Sequence, residues 1–219
     1  MLKQRRVKFV LGITGNIACG KSTVARMFKT KDSLLIDADA CANLLLAKNR
    51  GVYKKIKGAF GRGVLKRDNC IDRKKLAKIV FADKKALNKL SSIVHPLLIR
   101  EIKRRIKNSD KKIIILDAAL IIEAGLKKMV DRLVVVKAKK EQQILRKIQK
   151  RGFTKEDIVM RMKFQIPQNK KLRFADFIID NSGKVGKTRK QVFEIRKTLI
   201  RLADKGFLDK TIRRKLWKS

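Results

Sequence analysis

The sequence predicts an α/β fold in which a five-stranded parallel sheet is covered by helices on both faces, three layers in all. Two observations predict it. Five short runs rich in β-branched residues or leucine recur along the chain, at 7–13, 33–36, 113–116, 133–136 and 177–179. Each is too far from the next for a hairpin, and helix-like stretches lie between them, so right-handed crossovers joining parallel strands are the natural connection. With 219 residues, 44% of them hydrophobic and 36% charged, the chain is long and apolar enough for one compact domain with a buried core. In a sheet of this kind ligands belong at the carboxyl ends of the strands.

The first run leads into Gly15-Asn16-Ile17-Ala18-Cys19-Gly20-Lys21-Ser22, and the second ends in Asp37-Ala38-Asp39. The gap from 44 to 110 exceeds one crossover helix and predicts an inserted helical subdomain. Within it Leu76, Ile79, Val80, Leu87, Leu90, Ile93 and Val94 recur at spacings of three and four, marking amphipathic helices, while Gly58, Gly61 and Gly63 mark a loop before them. A strongly basic helical stretch follows the fourth run, from 141 to 170, with Gly152 as a break. From Lys187 onward Val192, Ile195, Leu199 and Leu202 fall at helical spacing, which predicts a helix packed by one face on the sheet, ahead of a basic tail at 206–219. No internal repeat and no Pro/Ser-rich linker divides the chain.

Charge narrows the function. Lys and Arg number 59 against 19 Asp and Glu, a formal net charge of +40. The cations are spread along the whole chain, which favours anionic small-molecule substrates over a dedicated nucleic-acid patch and leaves nucleic acid a non-specific partner at most. Aromatic residues make up only 5%, too few for a platform on which single-stranded bases stack. Cys19, Cys41 and Cys70 have no zinc-like spacing and read as reduced cytoplasmic thiols. Cys19 precedes a predicted helix N-terminus, which would lower its thiol pKa and expose ATP binding to oxidation. Lys3, Arg5 and Arg6 ahead of an apolar stretch ending in Ala18-Cys19 superficially resemble an export signal. Lys8 interrupts that stretch, however, and the cysteine runs straight into Gly20-Lys21-Ser22. No run reaches the ~20 apolar residues that span a bilayer, since 113–126 is broken by Asp117 and Glu123.

The 15–22 segment fits G-x-x-x-x-G-K-[ST], a P-loop, at the turn between a strand and a helix. Backbone N–H groups from Gly15 through Thr23 would cradle triphosphate oxygens, with Ala18, Cys19 and Gly20 inside the loop. Lys21 would reach the β and γ phosphates, and the Ser22 hydroxyl would ligate Mg²⁺. Asp37 and Asp39 leave the second strand at the ligand end, and point the same way if the chain stays extended there. One can then accept a proton from an attacking hydroxyl; alternatively both cap the next helix. Asp117 ends the third run, where a carboxylate would hold the Mg²⁺ shell.

Beyond the P-loop, an ordered set of segments resembles the dephospho-CoA kinase family: LGITGNIACGKSTVA, IDADACA, GVLKRDNCIDRKKLAKIVFAD, HPLL, LDAALIIEAGL, Glu141 with Gln143 and Arg146, RMKFQ, and ADFIIDNSG. The likeness runs from about Val10 to Gly183. It implies a P-loop NTPase core at 7–43, 111–140 and 172–205, a helical CoA-binding insertion at 44–110 and a basic lid at 141–171. It implies ATP and dephospho-CoA as substrates, Asp39 as the base for the ribose 3′-hydroxyl and Asp37 as its support. Arg73, Phe81 and His95 become candidates for contacting the acceptor. Without that contact, His95 reads as a helix-start residue whose ring only packs. Arg146 and Lys150 fall where the family's lid carries its arginine, and Asn181 falls in the loop that meets adenine. Asn16, Ala18 and Cys19 depart from the Gly, Gly and Ser that the family commonly shows, and Ala119 from its Pro; Arg151 stands where an aspartate is common. A monomer is expected. Two alternatives remain at this point: another P-loop kinase acting on a nucleoside or nucleotide, and a basic RNA-associated protein with a vestigial P-loop.

Overall fold

A computed structural model describes residues 8–149 and 153–204, side chains through 202. Five strands, β1 (Phe9–Thr14), β2 (Ser33–Asp37), β3 (Ile113–Asp117), β4 (Arg132–Lys137) and β5 (Phe177–Asp180), form one parallel sheet in the order β2-β3-β1-β4-β5. All six residues of β1 are buried, as its central place demands, because a parallel strand covered on both faces has no polar side to show.

The two faces are covered differently. Helix α1 (Lys21–Phe28) and the C-terminal helix α9 (Val185–Asp204) pack on one, where Leu11, Ile13, Val24, Phe28, Val134 and Leu199 share a core. Helix α5 (Lys84–Asn108) covers the other through Leu98 and Ile102 against Ile36, Ile114, Leu116 and Val135. Strand alternation sends successive residues to opposite cores, so each layer is built from every second position.

Between β2 and β3 lie α2 (Ala38–Lys48), α3 (Arg50–Phe60), a short 3₁₀ turn at Arg62–Val64, α4 (Arg73–Ala82) and α5. This insertion has a core of its own, centred on Val52, Ile56, Val64, Leu76 and Val80. Side chains cap its helices: Asn49 caps α3, Asp72 caps α4 and Asp83 caps α5, each accepting backbone N–H groups that the first helical turn leaves unpaired. After β4 come α6 (Lys140–Ile148), α7 (Lys155–Lys163), opened by a Thr154–Asp157 capping box, and the short α8 (Gln168–Leu172).

Several expectations change. Gly58 lies inside α3 instead of a loop, and Gly61, at φ 73°, is the residue that ends the helix. Ile79, read as part of an apolar face, is 41% exposed. Pro96 sits in the middle of α5, not at a helix start: the preceding turn gives up one backbone hydrogen bond and the helix continues. Strands β2 to β5 run one residue past the apolar runs at their carboxyl ends, to Asp37, Asp117, Lys137 and Asp180. Val7, Lys150, Arg151, Gly152 and the 206–219 tail lie outside the described residues. Among the described residues no helix is long and apolar enough to cross a membrane.

Candidate active site

The P-loop follows β1 and wraps the start of α1. Gly15 is required by space: a Cβ there would stand 2.4 Å from the carbonyl oxygen of Val136 and 2.5 Å from Cys19 Sγ. Gly20 is required twice over, by a left-handed φ of 92° and because a Cβ would fall 2.0 Å from Asn181 Nδ2. Ala18, at φ 57°, adopts the left-handed conformation without being glycine, at a cost of about 1–2 kcal/mol.

Residues distant in sequence brace the loop. Asn181 Nδ2 donates to the Cys19 carbonyl at 2.8 Å, and the Asn181 side-chain oxygen accepts from Thr188 Oγ1 at 2.9 Å. From the other side the Ile17 N–H donates to Gln165 Oε1 at 2.9 Å and Asn16 Nδ2 to the Ile166 carbonyl at 3.2 Å. Beneath the loop Lys171, fully buried, pairs with Glu123 at 2.9 Å and donates to the Ala119 carbonyl at 2.8 Å, which Thr14 Oγ1 also reaches.

Lys21 stands at the centre. Its Nζ lies 2.9 Å from Asp39 Oδ2 and 3.3 Å from Asp117 Oδ1. Burial works to lower its pKa, but the two carboxylates outweigh burial and hold it above the ordinary lysine value, so the ammonium persists. Asp117 is 2% exposed, and burial pushes its carboxyl upward, opposed by Lys21 and by a hydrogen bond with Ser22. The 3.3 Å approach is an ion pair without hydrogen-bond alignment, which leaves Asp117 Oδ1 buried and unsatisfied. An orphaned carboxylate oxygen beside a serine hydroxyl suits a hard divalent cation that takes one or two protein oxygens and completes its shell with phosphate and water. Among the described residues no group of three or more His, Cys, Asp or Glu side chains offers a full protein cage.

Asp37 and Asp39 do not share an extended chain. Helix α2 begins at Ala38, so Asp37 is its cap, accepting from the Ala40 N–H at 2.9 Å, while Asp39 lies in the first turn and turns to Lys21. The capping alternative holds for Asp37 alone. Cys19 also departs from expectation. It is fully buried, and desolvation pushes its thiol up to about 11, overriding the helix N-terminus and Lys21. The predicted sensitivity to oxidation therefore has no reactive thiolate behind it.

Asp39 opens onto a cavity of about 900 Å³ between the insertion and α7, lined also by Arg73, Phe81, His95 and Arg161. Arg73, Phe81 and His95, expected to meet an acceptor, thus face one space with Asp39, and Asp37, expected to support it, does not line that space. Burial lowers the His95 pKa and favours the neutral ring. Arg146 of α6 donates to the Asn181 carbonyl at 2.9 Å, while its Nη1 is buried without a hydrogen-bond partner, close to Gly20. Sequence reasoning passed over Arg161, Gln165 and Lys171. The first two stand in the RMKFQ block, noted as a unit without roles; Lys171 looked like one more surface lysine in a basic chain.

A P-loop closed on an anchored lysine, a carboxylate beside it and a neighbouring acceptor cavity together define a phosphotransferase. Within that class, the family model described as "Dephospho-CoA kinase" matches residues 9–187. The chain belongs to the dephospho-CoA kinase family. A dephospho-CoA kinase of Aquifex aeolicus is 44% identical over 192 residues, 87% of this chain and 97% of that protein. One of Carboxydothermus hydrogenoformans is 39% identical, covering 85% of this chain and 92% of that one. Among solved structures, the Thermus thermophilus protein TT1252 matches with a TM-score of 0.73 at 26% identity, covering 86% of this chain and 96% of that one. Dephospho-CoA kinase from Campylobacter jejuni matches at 0.62 and 28%, covering 91% and 99%.

Two outcomes are expected. Gly20→Ala weakens ATP binding by about tenfold or more, measured by calorimetry, since Asn181 and the loop must separate to admit the methyl group. Brief treatment of the folded protein with iodoacetamide labels Cys70, which is exposed, and spares buried Cys19 and Cys41, as peptide mass mapping will read.

Proposed function

We propose that the chain moves the γ-phosphoryl of ATP onto the ribose 3′-hydroxyl of dephospho-CoA, giving coenzyme A and ADP, the last step of CoA biosynthesis. The observation that carries the reading is the 2.9 Å contact between Lys21 and Asp39 at the mouth of the acceptor cavity, in a chain of this family. It joins the donor side of the site to the acceptor side through one ion pair.

The backbone of 15–23 binds the triphosphate, with N–H groups and the α1 dipole directed at its oxygens. The phosphates compete for Lys21, and as its ammonium moves to them the Asp39 carboxylate is freed to meet the 3′-hydroxyl. Asp39 orients that hydroxyl in line with the γ-phosphorus and takes its proton as the P–O bond forms. Arg146, with an unsatisfied N–H beside the P-loop, faces the charge that develops on the transferring oxygens. Asn181 supports the adenine side of the donor. Arg73, Phe81 and His95 receive the acceptor, and Asp37 acts on it only by fixing the start of α2. Ser22 and Asp117 would hold Mg²⁺, which would supply positive charge to offset that of the phosphates. The 44–110 insertion is the acceptor-binding part and 141–171 the lid, on a core of the remaining residues. The enzyme is read as a cytoplasmic monomer.

Asp39→Asn is expected to lower kcat with dephospho-CoA by about a hundredfold or more while the ATP Kd stays within about threefold. A panel of acceptors (dephospho-CoA, nucleosides and nucleoside monophosphates) followed by ADP release and product mass tests the substrate. Absence of stimulation by dephospho-CoA would overturn the reading, as would near-full turnover by the Asn variant.

A further inference from the structure

The acceptor cavity holds a half-buried cation that the sequence did not single out. Arg161 of α7 is half-buried, and its guanidinium lies 4.4 Å from the ring centroid of Phe81 in α4 and 5.0 Å from that of Phe153. Phe81 packs in turn against Phe164 at 6.2 Å, so the group is wedged between the insertion and the segment that precedes α7. These are cation–π contacts, and a contact of that kind uses none of the five N–H donors along the guanidinium edge. No ion pair or hydrogen bond among the described residues takes that edge. Asp157 is the acid whose charge reaches it, and its Oδ2 is already accepting from the Thr154 N–H in the capping box. Burial disfavours this charge, and Asp157 offsets that only in part.

An anion therefore belongs there. Asp39, the insertion, the segment after β3, Phe153 and α7 line the cavity, and none of the P-loop residues 15–22 do. The anion comes with the acceptor, not with ATP. The other cations of the wall, Lys66, Arg73, Lys74 and Lys78, are exposed and remain hydrated without a ligand. Dephospho-CoA carries a diphosphate on the same ribose whose 3′-hydroxyl must reach Asp39, and the planar fork of an arginine matches two phosphate oxygens at once.

We propose that Arg161 is the residue that grips the diphosphate of the acceptor, held for that purpose by Phe81 and Phe153. The proposal rests on the dephospho-CoA reading above and deepens it. Because Arg161 belongs to α7 and Phe81 to α4, the acceptor ties lid to insertion when it binds, and the contact sets which acceptors are held: those with a diphosphate on the 5′ side of the ribose.

The test uses the full chain, with wild type, Arg161→Gln and Arg161→Lys. Arg161→Gln is expected to raise the KM for dephospho-CoA about tenfold to a hundredfold with the ATP KM within about twofold of wild type. Arg161→Lys, which keeps the charge and loses the fork, falls between. Adenosine, which has the base and sugar but no diphosphate, serves as the competing ligand, and its Ki against dephospho-CoA stays the same in all three proteins. An unchanged KM for dephospho-CoA in Arg161→Gln overturns the proposal. So does a rise in the ATP KM or in the adenosine Ki by the same factor, since either is the pattern of a packing role. Should Arg161→Gln not fold, the same comparison on Arg161→Lys decides. No turnover of dephospho-CoA by wild type would instead refute the parent reading, so the two failures are distinct.

Discussion

The structure turns on one lysine ammonium held between two carboxylates. Lys21 reaches Asp39 and Asp117 only because β2 and β3 run side by side in a register that aligns Asp37 with Asp117, while β1 aligns Ile13 with Asp117. Three segments that meet nowhere in sequence thus deliver their charges to one point at the carboxyl edge of the sheet. Burial disfavours the charges of Lys21 and Asp117, and each is supported by the other, with Asp39 adding to the hold on Lys21. A one-residue slip in either strand pairing would turn Asp117 away from the edge and leave the lysine to be neutralised or exposed. The register of the sheet is therefore a condition for the chemistry as well as for the core.

Much of this was legible in the sequence, and for identifiable reasons. The P-loop is a local motif in which each residue's task follows from its place between strand and helix. The five strands were legible because parallel strands covered on both faces are written as unbroken apolar runs, and β1, β3 and β4 are of that kind. What escaped depended on tertiary partners. The start of α2 at Ala38 is decided by Asp37 reaching the Ala40 N–H, a contact that competes with an extended chain at no visible cost in composition. Pro96 inside α5 runs against its local preference, and the apolar contacts of Leu98 and Ile102 on the sheet carry the helix through it. Lys171 and Arg161 are indistinguishable by type from dozens of surface cations; only the fold sets one against Glu123 and the other between two phenylalanine rings. Cys19 shows the reverse error, in which a local rule about helix N-termini was overridden by complete burial.

The charge of the chain also looks different once placed. Acids are few, and several of them serve as helix caps, as the partner of Lys171 and as the carboxylates around Lys21. Many cations lie on the surface, where water carries the cost. Among those drawn inward, Lys21 and Lys171 have carboxylate partners, Arg146 and Arg196 each keep one N–H unsatisfied, and Arg161 lies against two aromatic rings.

Helix α9 lies far from the phosphate cradle in sequence, yet it is mechanically joined to it. Thr188 holds the Asn181 side chain, Asn181 holds the Cys19 carbonyl, and Arg196 donates to the Met27 carbonyl at the far end of α1 at 2.5 Å. A chain cut ahead of α9 would keep the whole P-loop motif and lose both the Thr188 prop behind Asn181 and the Arg196 tie to α1, so the stiffness of the anion cradle is supplied from outside its own segment.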